Sequence, residues 1–249
     1  IDMITHEQLS MIARKNHIGL YYQEKDYLQT SFLYAIYRIT DELIFKGGTC
    51  LKMAYRYQRF SEDLDFNSML SPSALKKIVK KSLREVELMG MGHSFDKEEL
   101  FESAYTSKIR FKGPRFTGRK ETTNTMRVDA GMRGGTIQRP RWIQIATPYP
   151  DIPNFFLLAM TKEEILAEKI RALSTRTESR DLFDLWCLVQ DGIEIGKELI
   201  EKKSIEINLG ELRFPTREEY ERDLKNLLPA SKIPDYEQIE EDVIKAMRI

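Results

Sequence analysis

The chain has 249 residues, of which 41% are hydrophobic and 31% charged, and its 39 basic and 39 acidic side chains cancel. This composition is typical of a folded protein of one or two domains, and it excludes a disordered chain and a small disulfide-stapled scaffold. No apolar run approaches the ~18 residues of a membrane-spanning helix and the first residues lack the layout of a signal peptide, so we expect a cytoplasmic protein without a membrane partner.

The cysteines and histidines exclude two common kinds of site. Cys50 and Cys187 lie far apart without CxxC spacing, and the histidines at positions 6, 17 and 93 show no zinc-binding pattern. We therefore expect neither redox chemistry nor structural zinc.

The first third of the chain predicts helices around a short strand and a glycine turn. The first forty residues carry helical periodicity, and Thr5 with Gln8 three residues later forms a capping box. A short apolar run at 43–45 then stops at Gly47 and Gly48, after which a helical pattern begins. The predicted order is strand, glycine turn and helix.

The middle of the chain predicts the strands of one sheet. Leu64 and Phe66 alternate with acidic residues, which is the period-2 pattern of a strand with two unlike faces. A predicted helix from about residue 71 to 89 follows, and three more alternating runs come after it. These runs are residues 107–111, 126–130 and 142–147.

The last third of the chain predicts a helical domain. Thr161 with Glu164 repeats the capping-box pattern, and nearly all residues beyond it read as helix. We therefore predict an α/β (α+β) fold with a sheet-bearing domain over residues 1–160 and a helical domain over residues 161–249.

Two acidic side chains stand on one face of the strand that carries Leu64 and Phe66. Asp63 and Asp65 are two residues apart, so both carboxylates project to the same side, a few ångström from each other. Two like charges that close need a counter-charge, and Mg²⁺ held by carboxylates and substrate phosphates supplies one. A DxD pattern alone is more often a solvated turn or cap.

The glycine turn suits an anionic ligand. Gly47 and Gly48 have no β-carbon, so a phosphate can approach the backbone N–H groups at the start of the next helix. Thr49 adds a hydroxyl group at this point. A glycine pair alone usually marks only a turn, but the order of strand, glycine pair, helix and a Ser-x-Asp-x-Asp strand that begins at Ser61 favours a phosphate site.

A third acidic residue lies within another alternating run. Asp129 is flanked by apolar residues, and a buried acid without a partner is costly. If its strand neighbours the strand of Asp63, three carboxylates form a cluster able to hold metal ions. The alternative is a salt bridge from Asp129 to Arg127 or Arg110.

Four motifs in this order resemble the AbiEii toxin family of minimal nucleotidyltransferases, within the DNA polymerase β superfamily, whose relatives include the mycobacterial MenT toxins. The motifs are GGT followed by SEDLDF, the lone Asp129, ILAEKIRAL, and RDLFDLW, and they span about residues 43–188. The resemblance implies a minimal nucleotidyltransferase mixed sheet flanked by helices. The GGT turn departs from the GS of many superfamily members, and the first forty residues and those after about 192 match no motif.

The resemblance also implies a role for each motif. It implies that Asp63, Asp65 and Asp129 bind the metal cofactor, Mg²⁺ or Mn²⁺, and take part in catalysis. It implies further nucleotide-binding or catalytic contacts from the glycine turn and the later helices. The positions that match the motifs are Gly48 with Thr49, Glu168 with Lys169, and Asp181 with Asp184. We predict that Lys169, Asp181 and Asp184 take part in catalysis and that the nucleotide is bound by Lys46, Gly47, Gly48, Thr49, Ser61, Glu168, Lys169 and Arg180.

On physical grounds the later motifs allow two interpretations. Lys169 interrupts the apolar stripe of its helix, so it can reach nucleotide phosphates or lie on a solvated face paired with glutamate. Asp181 and Asp184 are three residues apart on one helix face, and they can fix Lys169 or Arg180 instead of contacting substrate.

The segment from residue 108 to 141 is strongly basic, with ten lysines and arginines against two acidic residues. Because Phe111, Phe116 and Trp142 are interleaved with these cations, the segment suits a surface that binds phosphates and stacks on exposed RNA bases. A merely solvated basic loop is the alternative. The predicted RNA-binding residues are Lys108, Arg110, Lys112, Arg115, Arg119, Lys120 and Arg133.

We predict a metal-dependent nucleotidyltransferase that transfers NMP from a nucleoside triphosphate to an RNA and releases pyrophosphate. The resemblance implies a toxin of a toxin–antitoxin or abortive-infection system, the 3′ end of tRNA as acceptor and a cognate antitoxin as partner. The alternatives are an inactive nucleotide- or RNA-binding regulator and a small-molecule nucleotidyltransferase. A metal-dependent nuclease would leave the glycine turn without a purpose.

Overall fold

The computed structural model describes residues 3–131, 135–194, 196–205, 212–225 and 227–247. The chain divides into two compact units. The first unit comprises residues 1–45, 62–133 and 142–159, and the second comprises residues 46–61, 134–141 and 160–249. The chain leaves the first unit for the last time after residue 159, next to the predicted domain boundary at 160. The earlier crossings from one unit to the other were not predicted.

The described residues form nine α-helices and seven strands. The helices are α1 (His6–Asn16), α2 (Leu20–Tyr37), α3 (Gly47–Tyr55), α4 (Pro72–Leu88), α5 (Lys162–Thr175), α6 (Ser179–Gln190), α7 (Lys197–Lys202), α8 (Arg217–Leu224) and α9 (Tyr236–Met247). The strands are β1 (Ile44–Lys46), β2 (Asp63–Asn67), β3 (Gly92–Leu100), β4 (Ala104–Lys112), β5 (Asn124–Gly131), β6 (Arg141–Ile145) and β7 (Phe155–Ala159). No helix in this described part of the chain is long and apolar enough to span a membrane.

The strands form one mixed sheet in the order β3-β4-β5-β2-β1-β7-β6. β3, β4 and β5 pair antiparallel, whereas β2 pairs parallel with β5 and β1 parallel with β7. The predicted α/β fold, with a mixed sheet flanked by helices, is therefore confirmed.

Alternation along β4 and β5 gives this part of the sheet one buried face and one open face. Tyr105, Ile109 and Phe111 are completely buried on the face that α2 and α4 cover. Because strand side chains alternate, Lys108 and Lys112 lie on the opposite face, where both are exposed. The open face therefore carries the polar residues on which the candidate site depends.

The two predicted capping boxes have different outcomes. At the start of α1, Thr5 and Gln8 exchange both hydrogen bonds, at 2.8 and 3.2 Å, so this box is confirmed. At the start of α5, the N–H of Glu164 donates to Thr161, but the Glu164 carboxylate accepts from the N–H groups at 137 and 138. The prediction of a second complete box is therefore wrong, because Glu164 has better donors elsewhere.

A buried glutamate of α2 fixes the loop that follows β4. Glu24 is completely buried, and its carboxylate accepts hydrogen bonds from the backbone N–H of Arg115 at 2.8 Å and from Nδ2 of Asn124 at 3.1 Å. The Arg115 guanidinium supplies the counter-charge, with Nη1 at 3.3 Å. This arrangement satisfies a carboxylate that would otherwise be costly to bury.

We expect Glu24→Leu to lower the free energy of unfolding by about 3–5 kcal/mol, because it leaves buried donors and the Arg115 charge without their acceptor. Glu24→Gln retains one acceptor oxygen and should be less destabilising. Urea unfolding followed by circular dichroism measures both values. Equal stability of Glu24→Leu and the wild type would contradict this role for Glu24.

Candidate active site

The three predicted carboxylates lie on one face of two neighbouring strands. β2 pairs in register with β5, so that Asp65 lies opposite Asp129 and Asp63 lies opposite Arg127. From general strand dimensions, the Cα atoms of Asp63 and Asp65 are about 6.6 Å apart and those of Asp65 and Asp129 about 4.8 Å. The expectation that the strand of Asp129 neighbours the strand of Asp63 is confirmed.

Asp129 is engaged by two protein groups. Its Oδ2 lies 2.7 Å from Nε of Arg127, and its Oδ1 accepts a hydrogen bond of 2.5 Å from Oγ1 of Thr106. Nη2 of Arg127 also lies 3.3 Å from Oδ1. The ion pair with Arg127 that the sequence analysis left open as an alternative is therefore present.

The strand positions of the three acids suit a divalent cation, but their present side-chain positions do not form its binding site. Carboxylate oxygens on adjacent strands are the ligands that Mg²⁺ and Mn²⁺ prefer. Among the described residues, however, no three His, Cys, Asp or Glu side chains are gathered closely enough to hold a metal ion. Asp129 would have to exchange Arg127 for the ion.

The glycine pair begins α3 directly after β1, with no loop between them. Gly47 has a φ of 76°, a left-handed conformation that residues with a side chain rarely adopt. Gly48 is needed for another reason, because a β-carbon there would overlap Nη2 of Arg59. The space over Gly48 that the sequence analysis assigned to a phosphate holds the Arg59 guanidinium in this structure.

Two hydroxyl groups meet beside this turn. Thr49 is completely buried, and its Oγ1 donates a hydrogen bond of 2.8 Å to Oγ of Ser61. A β-carbon at position 48 would lie 3.1 Å from the same Ser61 oxygen. Thr49 therefore positions Ser61, and its burial keeps its own hydroxyl from solvent.

Four buried charged side chains and one more exposed arginine form an ion network in the second unit. Arg59 donates two parallel hydrogen bonds to Asp184, at 2.8 and 2.7 Å. Nζ of Lys169 lies 2.6 Å from a carboxylate oxygen of Asp184 and 2.6 Å from one of Asp181. Arg176 pairs with Asp181 at 2.7 Å from the more exposed side. The network, with three cations and two carboxylates, carries one positive charge in excess.

The network keeps its members charged in spite of burial. Burial raises the pKa of Asp184, but Arg59 and Lys169 outweigh it and lower that pKa to about 2. Burial lowers the pKa of Lys169, but Asp184 and Asp181 outweigh it, so this pKa is raised above its ordinary value. Lys169 is therefore an ammonium group held by both aspartates. The contacts from Asp181 and Asp184 to Lys169, which one of the two interpretations expected, are therefore present.

The remaining predicted nucleotide-binding residues lie in different surroundings. Lys46 and Glu168 pair with each other at 3.0 Å, and the other carboxylate oxygen of Glu168 lies 3.3 Å from Nζ of Lys203. Arg180 lies nearer the surface, and its Nε is 3.5 Å from Oε2 of Glu178. The charges of Lys46 and Glu168 are thus directed at protein partners, whereas Arg180 is partly exposed.

Arg59 and Lys203 belong to these clusters, yet the sequence analysis did not single them out. Their exposed fractions are 3% and 5%, and a buried cation requires a partner. Local sequence contains no signal for this, because Arg56 lies only three residues before Arg59 and is exposed. The partner of Arg59, Asp184, lies 125 positions further along the chain.

Four of the predicted RNA-binding residues are exposed. Lys108 and Lys112 lie on the open face of β4, and Arg119 and Lys120 lie at the short 3-10 helix Lys120–Thr122. Arg133 lies outside the described residues.

Two others are held by acidic partners. Arg110 binds Asp96 through two hydrogen bonds, at 2.9 and 2.5 Å, and Arg115 pairs with buried Glu24. Neither guanidinium can bind a phosphate without weakening a contact within the protein.

The three aromatic residues interleaved with these cations also differ in their exposure to solvent. Phe111 is completely buried, so the prediction that it stacks on RNA bases is wrong, because it alternates with Lys108 and Lys112 and faces the helices instead. The ring of Phe116 lies 5.4 Å from Nζ of Lys112, and Trp142 is 52% exposed.

Comparison with known proteins assigns this arrangement to a family. A family model described as "Nucleotidyl transferase AbiEii toxin, Type IV TA system" matches residues 31–246. Among solved structures, the chain is similar to MenT4, the nucleotidyltransferase toxin Rv2826c from Mycobacterium tuberculosis H37Rv, with a TM-score of 0.61, 18% identity and coverage of 96% of this chain and 88% of that chain. It is also similar to JHP933 from Helicobacter pylori, with a TM-score of 0.60, 17% identity and coverage of 91% and 90%. No curated protein matches the sequence.

We expect Gly48→Ala to lower the free energy of unfolding by about 1–3 kcal/mol, because the added β-carbon displaces the buried Arg59 guanidinium from Asp184. Gly92→Ala is the matched control, since its β-carbon would meet only side-chain carbons of Lys112, at ordinary distances of 3.6 and 3.9 Å. Urea unfolding compares the two variants. Equal effects of both substitutions would show that Arg59 does not need the space over Gly48.

The depressed pKa of Asp184 predicts an acid-sensitive contribution to stability. The folded chain lowers this pKa from 3.8 to about 2, so the ionised group stabilises the fold above pH 3.8, and this contribution is lost as the pH falls toward 2. We expect Asp184→Asn to reduce the dependence of the unfolding free energy on pH in this window. Urea unfolding at stepped pH measures it, and Asp41→Asn, at the exposed Asp41, is the control. An unchanged slope in Asp184→Asn would be the contrary result.

Proposed function

Because this chain belongs to the AbiEii family of nucleotidyltransferase toxins, we propose that it transfers a nucleoside monophosphate from a nucleoside triphosphate to a hydroxyl group of RNA. Its enzyme class is that of the family, a nucleotidyltransferase. The observation that carries the proposal is the in-register pairing of Asp65 with Asp129 on the strand face that also bears Asp63.

We assign Asp63, Asp65 and Asp129 to a divalent ion, Mg²⁺ or Mn²⁺. When bound, such an ion neutralises triphosphate charge and stabilises the charge that develops on the leaving group. Asp63 and Asp65 come from one strand and supply fixed negative charge. We propose that Asp129 also orients the attacking hydroxyl, with Thr106 holding its carboxylate in place through Oδ1.

We propose that the glycine turn and the motifs of the later helices bind the triphosphate. The start of α3 at Gly47 presents backbone N–H groups and the positive end of a helix dipole, both of which favour an anion. The ion network around Lys169 carries one positive charge in excess, which an anionic ligand would neutralise. Thr49 acts through Ser61, whose hydroxyl it holds, and the partly exposed Arg180 is a further proposed contact.

The proposed reaction is an in-line displacement at the α-phosphorus. The acceptor hydroxyl loses its proton, and its oxygen forms a bond to the α-phosphorus. The bond from that phosphorus to the oxygen bridging to the β-phosphate breaks, and pyrophosphate leaves. The rate then depends on positioning and on charge stabilisation, without a covalent enzyme intermediate.

Exposed cations of the first unit support a polyanionic acceptor. Lys108 and Lys112 on the open face, together with Arg119 and Lys120, can neutralise the phosphates of RNA. A small-molecule acceptor would not need them. From family membership we further propose the 3′ end of tRNA as acceptor, a cytoplasmic reaction and a cognate antitoxin as partner.

We expect Asp63→Asn to abolish transfer, because an amide cannot supply the charge that the proposed ion requires. The purified chain is incubated with Mg²⁺, total RNA and each of the four labelled nucleoside triphosphates, and the extended 3′ ends are sequenced. Thermal unfolding verifies that the variant is folded, and Asp41→Asn, at the exposed Asp41, is the matched control. Transfer by Asp63→Asn at the wild-type rate would overturn the assignment of the three carboxylates.

The same assay separates the alternative functions. Label in a small-molecule product, with none in RNA, would replace the RNA acceptor by a small molecule. Binding of triphosphate without release of pyrophosphate would instead indicate an inactive regulator.

A further inference from the structure

We propose that Arg127 is a competing cation at the carboxylate site, which neutralises Asp129 in the ligand-free chain and leaves it when a divalent ion binds. This inference rests on the proposed function, since it takes Asp63, Asp65 and Asp129 to be the ligands of that ion. It adds a role for Arg127, which controls when Asp129 is available to bind the ion.

The strand register places Arg127 at the fourth corner of the acidic group. Asp63 and Asp65 face Arg127 and Asp129 across the β2–β5 pair, so three corners of this block are acids and the fourth is a guanidinium. All four side chains project from one face, because each pair is two residues apart along its strand. A divalent ion bound by the three acids would therefore lie beside a like charge.

Both oxygens of Asp129 are engaged in this arrangement. Nε of Arg127 lies 2.7 Å from Oδ2, while Oδ1 receives the hydroxyl of Thr106 at 2.5 Å and Nη2 of Arg127 at 3.3 Å. The three acids thus share a face, but no three-ligand group is assembled among the described residues. Binding of an ion by Asp129 requires that the Arg127 contact be given up.

The solvent exposure of Arg127 and Asp129 makes this exchange of partners feasible. The side chain of Arg127 is 53% exposed and that of Asp129 28% exposed, and exposed ion pairs stabilise a fold only weakly. The pair of Arg59 and Asp184 differs, since both side chains are almost completely buried and neither can exchange its partner for water. Arg127 can therefore swing into solvent or onto an anionic ligand, whereas Arg59 is fixed.

Lys108 provides a matched control for the charge of Arg127. It lies opposite Arg127 on the adjacent strand β4 and is exposed on the same open face. It stands one strand further from Asp65, so its removal changes the net charge equally without freeing Asp129.

The test measures Mn²⁺ binding to the full, nucleotide-free chain, with free Mn²⁺ followed by electron paramagnetic resonance. Removal of a neighbouring positive charge and of the competing contact should make Arg127→Met bind Mn²⁺ about fivefold to tenfold more tightly than the wild type. Arg127→Lys, which retains the charge, should remain near the wild type, and Lys108→Met should change the affinity less than about twofold. The gain in Arg127→Met should disappear when Asp129→Asn is added.

The outcomes separate this inference from the proposed function. If Asp63→Asn weakens Mn²⁺ binding but Arg127→Met leaves it unchanged, the carboxylate assignment stands and the competition is refuted. Equal gains in Arg127→Met and Lys108→Met would also refute it, because they would indicate a general charge effect. If neither Asp63→Asn nor Asp129→Asn alters Mn²⁺ binding, both the assignment and the inference fail. Thermal unfolding of each variant verifies that it is folded.

Discussion

The parallel, in-register pairing of β2 with β5 is the constraint on which the candidate site depends. Because strand side chains repeat every two residues, a shift of one residue would turn Asp129 to the helix-covered face. The register is specified by Leu64, Phe66 and Val128, which are buried almost completely between the sheet and its helices. The hydrophobic burial that stabilises the sheet therefore also brings the acids together on the opposite face.

The second unit organises its charges by burial instead. Arg59, Lys169, Asp181 and Asp184 lie almost out of contact with water, where each charge is tolerable only while its partners are present. The network therefore fixes α5, α6 and the segment that carries Arg59 relative to one another within this unit. The exposed pair of Arg127 with Asp129 has no such constraint, so the two kinds of ion pair serve as a rigid support and as an exchangeable contact.

Sequence patterns predicted those elements in which hydrophobic and polar residues alternate in step with buried and exposed positions. They failed for elements without this alternation. Strand β2 and the first capping box follow from period and capping residues alone. Strand β3 was missed because its sequence, GHSFDKEEL, is charged on both sides, as is common for an edge strand that must not pair with other chains. The register that sets Asp65 beside Asp129 was expected only conditionally, and the burial of Arg59 was not expected, because its partner lies in a distant helix. Family resemblance suggested roles for residues, but it could not specify which of them bind one another.

The order of the sheet also determines when a nascent chain can complete its fold. Phe45 of β1 pairs with Ala159 of β7, so this pair of neighbouring strands joins segments that leave the ribosome far apart in time. At a synthesis rate of about 5–20 residues per second, on the order of ten seconds pass between the synthesis of β1 and that of β7. A chain that ends before β7 therefore lacks the strand that pairs with β1, and the sheet can be completed only after translation has passed β7.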